Sequence, residues 1–269
     1  MAGETKSPLI LWHLLSLDAP TAAAVWTWFI AAANHIRLPW SAPLAMFVAV
    51  WSLYASDRLL DTEDLELRHR FHQQHRNAFL AGIALASLTL ALLLPRIPPE
   101  SIHLYLILGG LVFAYFIVIH ATRSAHRLPK ELAVGVCFAA ATFIPTVSRR
   151  PELRLHLIPP AILFAALCSL NCLFIYSWEH DARPSSHPPH FTTQFSLRHL
   201  TLLAVINTGA STALALFDRY CPWPIPAATA ISTATLLVLH ARRNRHSPLT
   251  LRAAADLALL TPILLIPLL

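Results

Sequence analysis

The chain alternates long apolar runs with short polar breaks. Runs of about 20 mostly apolar residues cross a bilayer core as helices. They fall near 18–35, 42–60, 77–95, 102–120, 130–148, 157–178, 199–217, 223–240 and 251–268. The pattern predicts an all-α fold, a multi-pass transmembrane bundle of about nine helices forming one domain over residues 1–269. Asp18-Ala19-Pro20 reads as a capped helix start, and Pro43, Pro129, Pro160, Pro224 and Pro226 stand near other starts. The stretch LILWHLLSL, residues 9–17, is too short to span and is expected along the interface. Trp12, Trp40, Trp51, Trp178 and Trp223 fall near predicted boundaries, as an aromatic belt does. With six Gly in the chain, close helix contacts are expected to rest mainly on Ala, Ser and Thr.

Composition agrees with a membrane reading. Of 269 residues, 56% are hydrophobic and 13% charged, against about 25% charged in a soluble domain. The N-terminal run has no small-residue cleavage site after it, so it is expected to be retained. With nine spans, 14 of the 20 Lys and Arg fall on the side of the N-terminus. That bias marks this side as cytoplasmic. It also accounts for the net charge of +6 without a nucleic-acid partner. The expected setting is a bacterial cytoplasmic membrane, with lipids around the bundle and the long polar loops, 61–76 and 179–198, facing the cytoplasm. Cys137, Cys168, Cys172 and Cys221 form no CxxC pair, and no disulfide framework is expected. No charge falls in the middle of a predicted span, and Asn34, Asn171 and Asn207 are the main strongly polar residues there. Ion-coupled transporters place ionisable groups at that depth, so a transporter is disfavoured.

The candidate chemistry begins in FVAVWSLYASDRLLDTEDLEL, residues 47–67. Asp57, Asp61, Glu63, Asp64 and Glu66 are five of only 14 acids in the chain. Asp57 and Asp61 share a helix face, and Asp64 continues the stripe. Stacked carboxylates suit a hard divalent cation such as Mg²⁺, which takes its other ligands from phosphate and water. The plain alternative is a solvated helix end, with Arg58, Arg68 and Arg70 as local partners. A second acidic end, NCLFIYSWEHDARP, closes the sixth span on the same side with Glu179 and Asp181. The loop HATRSAHRLPKELAVG adds Arg123, Arg127 and Lys130, which suit phosphate oxygens. Acids for a metal and cations for phosphate on one face point to diphosphate chemistry above an apolar interior.

This combination resembles the UbiA-type intramembrane prenyltransferases, which have nine helices with Asp-rich motifs ending the second and sixth. DRLLD, Asp57 to Asp61, matches the DRxxD core of the first motif, and PKELAVG, residues 129–135, is similar to the start of the fifth helix. The resemblance implies Asp57, Asp61, Glu179 and Asp181 as Mg²⁺ ligands. It implies Arg123, Lys130 and Arg58 as diphosphate contacts, and Tyr54 and Tyr176 facing a prenyl cation. The implied activity is transfer of a prenyl group from a prenyl diphosphate to an aromatic or lipid-like acceptor. The chain departs from the family pattern at Leu53 and Tyr54, where Asn-Asp is usual, and at Glu179-x-Asp181, where DxxxD is usual. Those departures leave open a non-catalytic relative that binds lipid or serves in assembly. A third reading is a metal site in the histidine loops, from His69, His72 and His75 with His180, His187 and His190.

Overall fold

The computed structural model describes residues 8–60, 67–121, 130–182 and 191–269. A short α1 (Pro8–Leu14) leads into α2 (Asp18–Ala33) and α3 (Ser41–Leu60). Then come the short α4 (Leu67–Gln74), α5 (Arg76–Leu93), α6 (Pro99–Ala121), α7 (Lys130–Arg149) and the long α8 (Arg154–Ala182). A short α9 (Phe191–Arg198) precedes α10 (Leu200–Phe217), α11 (Pro224–Ala241), α12 (Pro248–Ala258) and α13 (Pro262–Leu265). A helix therefore stands at each of the nine apolar stretches, and no strand occurs among the described residues. Among the described residues, six segments are long and apolar enough to cross a membrane: 76–96, 131–149, 151–179, 200–217, 224–241 and 248–268. The architecture is that of a multi-pass helical membrane bundle.

The core forms where α2, α7, α8 and α11 meet. Trp26 and Phe29 of α2, Phe143 of α7, Phe164 and Phe174 of α8 and Ile225 of α11 are all buried there. The rings of Trp26 and Phe164 lie 4.0 Å apart. At 16 residues α2 is short for a span, yet it is enclosed by its neighbours, so other helices and not lipid cover most of it. Helices α5 and α6 instead present Leu85, Leu88 and Leu92, and Leu106, Leu111 and Phe113, to the outside. An apolar outer face of that extent suits lipid and not water.

Within such a bundle each polar group needs a protein partner. Asn207 donates to Thr233 across α10 and α11 at 3.0 Å, and the hydroxyls of Ser101 and Ser148 join α6 to α7 at 2.6 Å. Pro145 has no N–H for the carbonyl of Ala141 one turn earlier, and the Tyr105 hydroxyl of α6 donates to that carbonyl at 3.2 Å. The chain breaks helix between α12 and α13, and Trp26 Nε1 donates to the Leu259 carbonyl in that break at 2.7 Å. Close packing concentrates at Gly135 of α7. A Cβ there would lie 2.7 Å from both the Ala165 carbonyl and the Ser169 amide of α8.

Two ends can be recognised from the contacts between helices. At one, Arg154 bonds Glu100 at 2.9 Å, and Arg96 lies over the Trp40 ring at 5.4 Å. The other carries the longer connections, with the short helices α1, α4 and α9 laid against it. Gln73 of α4 donates to the Leu59 carbonyl at the end of α3, and Thr193 of α9 donates to the buried carboxylate of Glu131 at the start of α7. At this loop-rich end the aromatic-belt expectation needs correction. Trp178 is buried and donates to His240 Nδ1 at 3.1 Å, and Trp51 donates to the Leu15 carbonyl. Both indoles bind helix to helix because an enclosed N–H must find an acceptor. Trp40 and Trp223 are exposed, as a belt requires.

Candidate functional site

Asp57 occupies the last turn of α3 at the loop-rich end, and its side chain is 67% exposed. Arg58 lies back against the protein and donates through Nη1 to Asp57 Oδ2 at 2.6 Å. The guanidinium carbon of Arg58 sits 5.9 Å from the centre of the Tyr54 ring, one turn earlier. Tyr54 is half-buried on the inward side of the helix, in the neighbourhood of Asp18, Asp256, Cys172 and Arg58. Thus α3 presents its acid outward and its tyrosine inward.

Glu179 lies in the last turn of α8 at the same end of the bundle, where Arg252 of α12 donates to Glu179 Oε1 at 2.5 Å. Tyr176, one turn back, is half-buried. Asp61 and Arg123 lie outside the described residues, as do Glu63, Asp64, Glu66 and Arg127. Lys130 and Asp181 are described in backbone alone, as the first residue of α7 and the penultimate residue of α8. Of the histidine triplet, His72 is fully buried on α4, with its Nε2 3.4 Å from Ser16 Oγ and its ring stacked on Phe79 at 3.8 Å. Such a ring packs α4 onto the bundle. His75 caps nothing with its side chain and instead contacts the Phe71 carbonyl at 2.9 Å.

Beneath this face lies a second group of ionisable residues. The chain turns sharply after α1, with Ser16 in the left-handed region at φ 54°. A serine pays a steric cost for that conformation unless its surroundings hold it. The turn brings His13 of α1 back onto Asp18, the first residue of α2. His13 Nδ1 is 2.7 Å from Asp18 Oδ2 and 3.5 Å from Asp256 Oδ2 of α12. The three side chains are 1%, 2% and 14% exposed. Asn171 of α8 donates to Asp256 Oδ1 at a long 3.4 Å, and its own Oδ1 is buried without a hydrogen-bond partner.

No motif or spacing in the sequence points to this group. Asp18 was expected to cap α2, but the N-cap is Leu17, and the Asp18 carboxylate turns toward His13. Residues 9–17 were expected along the interface, yet His13, Leu14 and Ser16 are buried. Asp256 is an ionisable residue inside the ninth apolar stretch, where depth within a helix pattern would have been the signal. To one side of Glu179, an open cleft of about 630 Å³ lies among α8, α10 and α11, lined by Ser177, Arg198, His199, His240 and Arg243. The loop-rich end therefore combines an exposed and a half-buried acid–arginine pair, a basic cleft and a buried His–Asp–Asp group. No protein-family model, curated protein or solved structure matches the chain.

Proposed function

We propose that the protein is an intramembrane prenyltransferase of UbiA type with nine spans and its loop-rich end in the cytoplasm. It would transfer a prenyl group from a prenyl diphosphate to a hydrophobic acceptor. The observation that carries this reading is the pairing at that end: Asp57 with Arg58 and Glu179 with Arg252. Each pair supplies one hard anionic ligand and one cation. A metal diphosphate needs both kinds, carboxylate oxygens for the metal and guanidinium groups for phosphate oxygens. The donor set fits Mg²⁺, with Asp57 and Glu179 joined by Asp61 and Asp181 of the same two motifs. Bound Mg²⁺ would supply charge neutralisation of the leaving diphosphate.

The residues of the chain then have distinct tasks. Arg58 and Arg252, released from their carboxylates, turn to the phosphate oxygens beside Arg123 and Lys130. The allylic C–O bond breaks with its electron pair leaving on diphosphate. The acceptor's electrons form the new bond to the prenyl carbon, and the acceptor gives up a proton. Tyr54, inward of Asp57, offers a ring face to the cation, and Tyr176 does so from α8. The apolar core excludes water that would otherwise capture the cation. A second reading, a lipid-binding relative without catalysis, is favoured by one feature: the arginines already satisfy Asp57 and Glu179 without a metal.

Prenyl diphosphate binding in nanodiscs, titrated with Mg²⁺, separates the two. The enzyme reading expects Mg²⁺-dependent binding that collapses in Asp57→Asn and Asp61→Asn but survives in Glu63→Gln and Glu66→Gln. Arg123→Ala and Lys130→Ala should weaken the diphosphate far more than the matching prenyl alcohol. Equal behaviour of all the acid variants overturns it. Orientation is read by labelling single introduced cysteines, with Arg245→Cys expected on the cytoplasmic side and Glu152→Cys opposite. Native Cys221, outside the spans, interferes little, since burial, with Asp218 beside it, pushes its thiol up to about 12.

A further inference from the structure

We propose that His13, Asp18 and Asp256, with Asn171 Oδ1 as fourth donor, form a buried site for one zinc-type divalent ion. The ligand atoms of the first three lie within 4.8 Å of one another. A tetrahedral zinc with N and O ligands at about 2.0–2.1 Å sets its ligands about 3.3 Å apart. The contacts of His13 Nδ1 to the two aspartates, 2.7 and 3.5 Å, bracket that spacing.

Two independent features argue for an ion and against a simple ion pair. His13 Nδ1 is close to both carboxylates, yet its N–H axis makes a hydrogen bond with neither oxygen. A histidine paired with an aspartate would be aligned with it. Asn171, only 5% exposed, leaves its Oδ1 without a partner while its Nδ2 reaches Asp256. An orphaned amide oxygen in such surroundings is costly unless a cation or donor meets it. The donor chemistry selects the ion, because imidazole with carboxylates favours zinc over Mg²⁺, which retains water and prefers oxygen. The ion would fasten α1 to α2, α8 and α12, closing the loop-rich end of the bundle. This site is separate from the motif acids and does not depend on the prenyltransferase reading.

The test is the zinc content of the full chain in detergent, with its affinity tag removed, after zinc loading and dialysis. A His187→Ala/His190→Ala background removes loop histidines that would bind zinc weakly. About one zinc per chain is expected, at least tenfold less in His13→Gln and Asp256→Asn, and no change in Asp57→Asn. Wild-type protein with under a tenth of an equivalent overturns the site, as does zinc retained in either variant. Loss in Asp57→Asn as well would overturn it too, tracing the metal to the exposed acids. If the variants fail to fold, cobalt decides on the wild-type chain. Visible bands as strong as those of four-coordinate cobalt are expected, and their absence overturns the proposal.

Discussion

Asp57 and Asp256 stand on helices at the same end of the bundle, but their surroundings differ sharply. Asp57 is 67% exposed and held by the adjacent Arg58, whereas Asp256 is 14% exposed and enclosed by His13, Asp18 and Asn171. An exposed pair gains little from its partner, since solvent screens it and both side chains can be solvated alone. Its carboxylate is free to exchange one partner for another, as a ligand site must. A buried group has no water to fall back on, so its partners are part of the fold. One face of the protein thus carries acids suited to exchange, above acids suited to holding helices together.

The contrast is broken most directly by truncating each aspartate. Asp256→Ala leaves the buried Asn171 amide and one side of His13 without a partner and should cost about 3 kcal/mol, the upper end of the range for unsatisfied buried polar groups. Asp57→Ala should cost about 0–1 kcal/mol. Unfolding followed in detergent measures both. Similar losses at the two positions would mean that the enclosure of Asp256 is wrong or that water reaches it.

The next largest difference concerns packing. Gly135→Val forces a side chain against the backbone of Ala165 and Ser169 on α8. Overpacking of that kind costs about 1–3 kcal/mol. Gly109→Ala on α6 meets nothing within 4 Å. There the gain in helix propensity should leave stability unchanged or raised by up to about 1 kcal/mol. A loss at Gly109 as large as at Gly135 would show that α6 has a close neighbour.

How far the sequence reveals these regions follows from the range of the interactions. Apolar runs and prolines such as Pro224, the first residue of α11, are local signals, and they locate the helices. The acids after Tyr54 are equally legible, because five of them crowd into ten residues. His13 and Asp256 are separated by almost the whole chain, and no spacing rule connects them. Arg252, one of the 14 basic residues on the N-terminal side, proves to be the partner of Glu179. The break after Ala258 was hidden as well, because Leu259 to Thr261 read as continuous apolar helix and only Trp26 reveals the freed carbonyl.

A smaller effect is expected where one hydrogen bond joins α6 to α7. Tyr105→Phe keeps the ring and removes the hydroxyl that reaches the Ala141 carbonyl. Polar contacts between membrane helices average about 0.6 kcal/mol. The freed carbonyl below Pro145 should bring the loss nearer to about 1 kcal/mol. Restoring a normal helix bond with Pro145→Ala should make the same Tyr105 change nearly neutral. A Tyr105→Phe penalty that stays the same in both backgrounds would mean the hydroxyl acts on something other than the carbonyl freed by proline.

The smallest change in stability should come with the largest change in binding. Asp57→Asn keeps the shape of the side chain and removes its charge. Only the exposed contact with Arg58 is weakened, so the unfolding midpoint should scarcely move. For a solvated helix end, that is the whole effect. For a metal ligand of the first motif, the same substitution removes one of the few charges that hold Mg²⁺ and its diphosphate, and Mg²⁺-dependent binding should be lost. Arg58→Gln sharpens the point from the other side, because it frees the carboxylate of its partner while leaving the acid in place. If Arg58 serves the phosphate, affinity for the diphosphate falls in this variant although metal binding alone is retained or strengthened. If Arg58 only shields Asp57, removing it leaves diphosphate affinity equal to the wild type or higher. Binding unaltered in both variants would assign Asp57 and Arg58 to the surface and leave the lipid-binding reading in place.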